Sequence, residues 1–522
     1  MKTFFSFILF FIFSTINAQS FIRTELPTAL NNPWEITYGP DGYLWLTEYG
    51  GNVVRVDPNN GNKTIVFTAS DYYDGSPTED NPLCTHLSIG SGTLGLALHP
   101  DFMDSLNSYI YFVYSYNNGT APSPSTKFRI KRLKWDWTSN SVISDTNIVN
   151  NISNGYDHFG GRLIAVKQNN TPYLYFSLGD LGRSEDSDPN CYSPQSNNPN
   201  NFTQDISTQN GKIHRFNMDG SIPLDNPIAG NSFYTRGHRN PQGLMFNPNL
   251  EILYNVEHGD RTDDEINVLY KGMNYGWKNV RGFHNDGSYT GESTYVANYS
   301  PNPLILNDSL VEPIHSWCNI IDTSSFYLNW CTVAPSDGIY YGSTGIPQWT
   351  NSLLVVTLKD GLTTDKEVFQ FQLLPNGMID TSTFPIPNPK KYFGNDQALN
   401  GRLRDIAISP NGRTIYLINN GGSTTDKITV YEFDTTNIGI DNKIIEHKLK
   451  LYPNPAKDVI KIKGLSESKD IKEIMVYSIL GKYESIELQN ENSLDISKLN
   501  SGIYFIQLLI DKKIYFLKFV KQ

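Results

Sequence analysis

Five short segments carry side chains able to do chemistry. His158 follows Asp157 and precedes FGGRLIAV, a glycine pair leading into a strand. An imidazole with an ordinary pKa of about 6.5 can take a proton at neutral pH, and an adjacent carboxylate can fix its tautomer. A surface histidine beside a turn would read the same way. In GHRNPQGLMFNPN, 237–249, Arg239 and Asn240 stand ahead of a proline that stiffens the chain. They present a guanidinium and an amide suited to an oxyanion or a quinone oxygen. In VEHGDRTDDEINVL, 256–269, Gly259 permits an unusual backbone angle and four acids follow within six residues. Calcium takes such carbonyl and carboxylate oxygens, although the spacing is not that of an EF-hand and a solvated acidic turn is the plainer alternative. Lys359 ends SLLVVTLK, and Arg402 and Arg404 flank Leu403 in NGRLRDIAISPNG. Arginines at i and i+2 of a strand share a face, so with Lys359 they offer three cations to a polyanion, unless they form a charged outer edge.

The elements that must position these residues follow from composition and repeats. At 522 residues and 39% hydrophobic the chain can bury a large core, and 40 Gly, 29 Pro and 13% aromatic residues favour short strands and turns over long helices. The net charge of −11 argues against nucleic acid or anionic lipid as a partner. A turn followed by a Tyr-, Leu- and Ile-rich strand recurs from residues 39, 99, 169, 246, 343 and 409. Six such units predict an all-β, six-bladed β-propeller, with long loops gathered around a central channel; a pair of β-sandwiches is the alternative.

The ends of the chain read differently. Residues 1–18 have a lysine, an apolar run and a small residue at a cleavage position, the pattern of a secretory signal peptide. Four cysteines without CxxC spacing then favour disulfides, expected as Cys318–Cys331 and Cys84–Cys191. From Asp441 to Gln522 there are 14 Lys, no Arg and 11 acids, after a main body that is strongly acidic. Five alternating runs predict a small β-sandwich at 449–522, joined by a linker at 437–448 to a propeller spanning 19–436. With YPNPAKDVI, LNSGIYFIQL and the basic finish KKIYFLKFVKQ, it resembles the C-terminal sorting domain of the type IX secretion system. That implies export to the outer-membrane surface or beyond, with the type IX machinery as a partner.

The order of motifs in the main body, DHFGGRL, GHRNPQGL, DDEINVLYKGMNYGWKNVRG, WCTVAPS, LLVVTLKDG and GRLRDIAISPNG, resembles that of the soluble quinoprotein glucose and aldose sugar dehydrogenases. The resemblance implies a six-bladed propeller using pyrroloquinoline quinone and calcium to oxidise a sugar at C1. It implies His158 as the base, oriented by Asp157, while hydride passes to the quinone, and Arg239 as the group stabilising charge on the quinone oxygen. Asn240, Thr332, Lys359, Arg402 and Arg404 would hold the cofactor, and the carbonyls of Gly259 and Asp260 its calcium. Glu265, Tyr275 and Asp286 fall at a second, structural calcium site; Asp157, Tyr327 and Trp330 would meet the sugar. Three positions depart from the pattern: Gly90 and Glu185 replace glutamines near the sugar, and His258 replaces one beside the calcium loop. A propeller that binds without turnover, or a calcium-dependent lactonase, are the alternatives. The acceptor of the electrons and the oligomeric state, a dimer being open, are not written in the chain.

Overall fold

The computed structural model describes residues 21–434 except 76–89, 121–124, 156, 183–201, 261, 285–290, 318–331, 360–365, 382–388 and 422–425, and residues 450–522 except 464–470, 479–482, 485, 491–492 and 511–512. Contacts divide the chain into two compact units, Met1–Asp434 and Thr435–Gln522.

The first unit contains, among the described residues, six four-stranded sheets, each antiparallel throughout. Five are built from four consecutive strands. Their first strands are Glu35–Tyr38, Thr93–Leu98, Leu163–Gln168, Pro241–Asn247 and Pro335–Tyr341; Leu403–Ile408 begins the sixth. Each of these six lies against the first strand of the sheet before and after it, and the last touches the first, so they form a closed ring. The sixth sheet takes its outer strand from the other end of the unit: Phe21–Glu25 pairs with Ile428–Phe433, Phe21 opposite Phe433. The Phe21 ring packs at 5.3 Å from Trp349 and 5.0 Å from Phe393, fastening that strand. Radial repetition closes the ring through its inner strands, so that the first sheet meets the last.

The sheets pack face to face, which explains why the strands read as continuous apolar runs. Ser352–Thr357 and Leu44–Glu48 are buried at every residue, and a strand covered on both faces has no polar side to alternate with. Between the fifth and sixth sheets Tyr341, Trp349, Leu354, Leu403, Leu417 and Tyr431 form one buried cluster, and similar clusters fill the other gaps. The six turn-plus-strand repeats of the sequence are the second strands of the six sheets with the turns that enter them. α-Helix among the described residues is confined to Glu292–Ala297 and Gln397–Asn400.

The second unit holds two four-stranded sheets over Lys450–Lys521. Ile460, Ile462, Leu494, Val476, Ile506, Leu508 and Phe519 form its buried core. In Val459–Lys463 the isoleucines are buried and Lys461 and Lys463 exposed, the alternation of a sheet with one dry face.

Candidate active site

In an antiparallel pair the start of the first strand and the end of the second lie at the same edge. Asp157 and His158, Arg239 and Asn240, Thr332, and Arg402 precede first strands, whereas Asp180, His258 to Asp260 and Lys359 follow second strands. Topology therefore gathers them at one end of the ring. There a cavity of about 530 Å³ is lined by Asp157, His158, Arg239, Asn240, His258, Gly259 and Asp260, and on its other side by Thr332, Lys359, Arg402 and Arg404. Glu265 and Tyr275 line a small adjoining cavity that shares Arg239, Gly259 and Asp260 with the larger one. Tyr327, Trp330, Asp286, Glu185 and the four cysteines lie outside the described residues.

His158 is buried, with φ at 53°, a left-handed conformation uncommon outside glycine and typical of side chains aimed by their site. Two carboxylates stand at His158. Asp157 Oδ1 accepts the backbone N–H of His158 at 2.8 Å, whereas His158 Nδ1 meets Asp180 Oδ1 at 2.8 Å. Asp180 is itself fixed by the N–H of Gly182 at 2.9 Å and by Trp277 Nε1, which donates to its Oδ2 at 2.8 Å. Burial and the Arg239 charge oppose protonation of His158, but Asp180 and Asp157 outweigh them and raise its pKa to about 10. In the sequence Asp180 simply ends the strand-forming run PYLYFSLGD. Nothing in a separation of 22 residues links it to the histidine. Gly179 makes the approach feasible, because a Cβ there would lie 2.2 Å from the His158 carbonyl oxygen and 2.6 Å from that of Arg239.

The cations converge by a different device from simple strand alternation. The strand begins at Leu403, and its pairing shifts between Leu403 and Asp405, leaving Arg404 in a β-bulge. The same shift at Pro241/Gly243 leaves Gln242 unpaired, and it too faces the cavity. Bulges re-aim a side chain locally, so Arg402 and Arg404 both reach the cavity although only one belongs to the strand. Arg404 is buried, its Nε has no hydrogen-bond partner, and burial together with Arg162 and Arg402 lowers its pKa to about 9. A buried guanidinium so destabilised is matched to an anionic ligand. Lys359 donates to Thr332 Oγ1 at 3.0 Å, and Lys366, missed in the sequence, adds another cation to the wall.

Around 258–265 most acids are committed. Asp264 accepts the N–H of Gly259 at 2.9 Å and those of Val333 and Ala334 at 2.7 Å; burial exceeds their effect and raises its pKa to about 6. Glu265 accepts the N–H of Gly282 and the Asn267 amide, and Tyr275 donates to the Val268 carbonyl. Gly259 is not in the left-handed region. It is required because a Cβ would fall 1.9 Å from the Thr262 carbonyl oxygen. His258 is kept neutral by burial and by Arg239 and His158, its pKa well below the usual range. Of the departures from the family pattern, Gly90 has a steric cause: a Cβ there would lie 2.0 Å from the Phe159 ring.

Beneath the cavity, Arg162 Nη1 binds Glu35 Oε2 at 2.6 Å, Asp405 Oδ2 at 3.0 Å and Asp337 Oδ2 at 3.2 Å, all buried. Burial raises the pKa values of Glu35 and Asp337 despite Arg162, so these carboxyls hold protons above the ordinary range.

Residues 30–427 match the family model Glucose / Sorbosone dehydrogenase, and residues 450–522 match Secretion system C-terminal sorting domain. Quinoprotein glucose dehydrogenase B of Acinetobacter calcoaceticus is 30% identical over 80% of this chain and 88% of its own length. Aldose sugar dehydrogenase YliI of Escherichia coli is 26% identical over 66% of this chain and 79% of its own. Among solved structures, the PQQ-bound aldose sugar dehydrogenase of Streptomyces coelicolor superposes with a TM-score of 0.53 at 22% identity, covering 79% of this chain and 98% of that one. The apo-form of soluble aldose sugar dehydrogenase from Escherichia coli gives 0.55 at 21% identity, covering 80% and 100%.

Proposed function

The chain belongs to the glucose/sorbosone dehydrogenase family, and from that membership we propose that it oxidises an aldose or related sugar at C1 to the lactone, using pyrroloquinoline quinone and calcium. The observation that carries this reading is the convergence of one carboxylate-held histidine and five cationic side chains, Arg239, Lys359, Lys366, Arg402 and Arg404, on a single cavity. The residues fit the cofactor: the buried, incompletely partnered Arg404 calls for an anion, and a tricarboxylate supplies three. When bound, the quinone supplies the two-electron oxidant and calcium its Lewis acid.

The protein's own groups do the rest. Asp180 engages Nδ1 of His158, and this supports reading Nε2 as the atom that would take the proton of the C1 hydroxyl. Arg239 directs positive charge at the oxygen where negative charge develops, from a backbone fixed by Pro241. Arg402, Arg404, Lys359 and Lys366 anchor carboxylates, with Thr332 and Asn240 completing the grip. The carbonyls of Gly259 and Asp260 would hold the calcium, and Glu265 and Tyr275, with Asp286 outside the described residues, would belong to a second calcium site only by giving up some of the hydrogen bonds they now make. Electrons pass to an external acceptor. The type IX secretion machinery delivers the protein to the cell surface or the medium.

The test is to strip the protein with a chelator, add pyrroloquinoline quinone with and without calcium, and follow quinone absorbance while aldoses are added. Calcium-dependent binding followed by reduction on sugar addition is expected. Tight binding with no reduction by any aldose would reassign the molecule as a binding module, and calcium-dependent ester hydrolysis without quinone binding would make it a lactonase.

A further inference from the structure

Four acids stand in DRTDDE, 260–265, and the fold uses three of them internally. Asp263 accepts from Thr262 Oγ1 and Ser316 Oγ, Asp264 from three backbone N–H groups, and Glu265 from Gly282 and Asn267. Asp260 differs. Its side chain is 10% exposed and lines both cavities, and its Oδ1 is buried without a hydrogen-bond partner among the described residues. Arg281 Nη2 holds Oδ2 at 2.7 Å, while Arg239 Nη2 lies 3.8 Å from Oδ1, beyond hydrogen-bond reach. A buried carboxylate oxygen left bare costs free energy unless a cation meets it.

We propose that the Asp260 side chain, through Oδ1, is an anionic ligand of the divalent cation bound at the 259–260 turn, while Arg281 holds Oδ2. This rests on the calcium reading given above and adds a charged side-chain ligand to a site otherwise described by neutral main-chain carbonyls. Hard divalent cations gain affinity with each carboxylate supplied. Arg281 also competes with the cation for the same carboxylate, so this protein balances calcium affinity against an internal positive charge.

Calcium alone, titrated calorimetrically into the chelator-stripped full chain with and without pyrroloquinoline quinone, tests this. Asp260→Asn is expected to weaken calcium binding about 10- to 100-fold while leaving the melting temperature in chelator unchanged. Arg281→Gln, which removes the competing charge, is expected to tighten it. Wild-type binding with unaltered affinity in Asp260→Asn, or weaker calcium binding in Arg281→Gln, would overturn the proposal and leave Asp260 as a counter-ion of the two arginines. A wild-type protein that takes up no calcium under either condition would instead defeat the calcium reading on which the proposal stands.

Discussion

At the scale of single residues the candidate site is governed by charge on side chains that are themselves buried. His158 is the sharpest case. With a pKa raised to about 10 by Asp180 and Asp157, it is mostly protonated at pH 7, and a base works only in its neutral form. Sugar-oxidising kcat/KM should therefore climb with pH, about tenfold per unit, until His158 deprotonates. Asp180→Asn removes one of the two carboxylates, so the climb should move to lower pH and the plateau should fall; an unshifted pH profile would show that Asp180 does not set the histidine's basicity. His158→Ala should leave quinone affinity close to wild type and lower kcat by about 10²- to 10⁴-fold. Arg404→Gln should weaken quinone binding by about 1.5–3 kcal/mol, the usual worth of a hydrogen bond to a charged group, read as the dissociation constant by absorbance titration. The sequence made His158, Arg239 and Arg404 legible because their neighbours, a glycine pair, a proline and a second arginine, are unusual enough to notice. Asp180 was not legible, since a carboxylate at a strand end is common and its partner is chosen in space.

At the scale of elements, the first and second strands of each sheet decide which loops meet. The bulges at Arg404 and Gln242 and the missing side chain at Gly179 refine that placement. Gly179→Ala would push a methyl group into two backbone carbonyls that also carry His158 and Arg239. Destabilisation of about 1–3 kcal/mol is expected, with a drop in kcat as the histidine is displaced; a variant with wild-type melting temperature and turnover would show that the loop yields without cost. The second strands were visible in the sequence as apolar runs following Pro-Asp-Gly or Pro-Asn turns. First strands such as Glu35–Tyr38 were harder to see, because they carry charged residues inward. In the C-terminal unit, Glu487–Asn490 and Ser493–Asp495 escaped a reading based on apolar alternation because they are short and mostly polar.

At the scale of the whole molecule, the ring is fastened in two places far apart in the chain. One is the pairing of Phe21–Glu25 with Ile428–Phe433; the other is Arg162, which ties carboxylates from the first, fifth and sixth sheets under the cavity floor. Removing one partner of a buried ion cluster leaves uncompensated charge, so Arg162→Met should cost about 3–5 kcal/mol, measured by denaturant unfolding. Replacing Glu35 by Gln in that background should recover part of the loss, since it removes one of the stranded carboxyls. The sequence by itself determined the all-β character, the separate C-terminal unit and the family, because turn residues, apolar runs and ordered motifs are local properties that survive without knowledge of what packs against what. Only the tertiary structure decided that Asp180 engages the imidazole, that Arg404 reaches the cavity through a bulge, and that Glu35, Arg162, Asp337 and Asp405 form one cluster. The physical reason is shared: hydrogen bonds and ion pairs act over about 3 Å, and separations of 22 to 243 residues carry no record of which groups closure of the ring will bring within that distance.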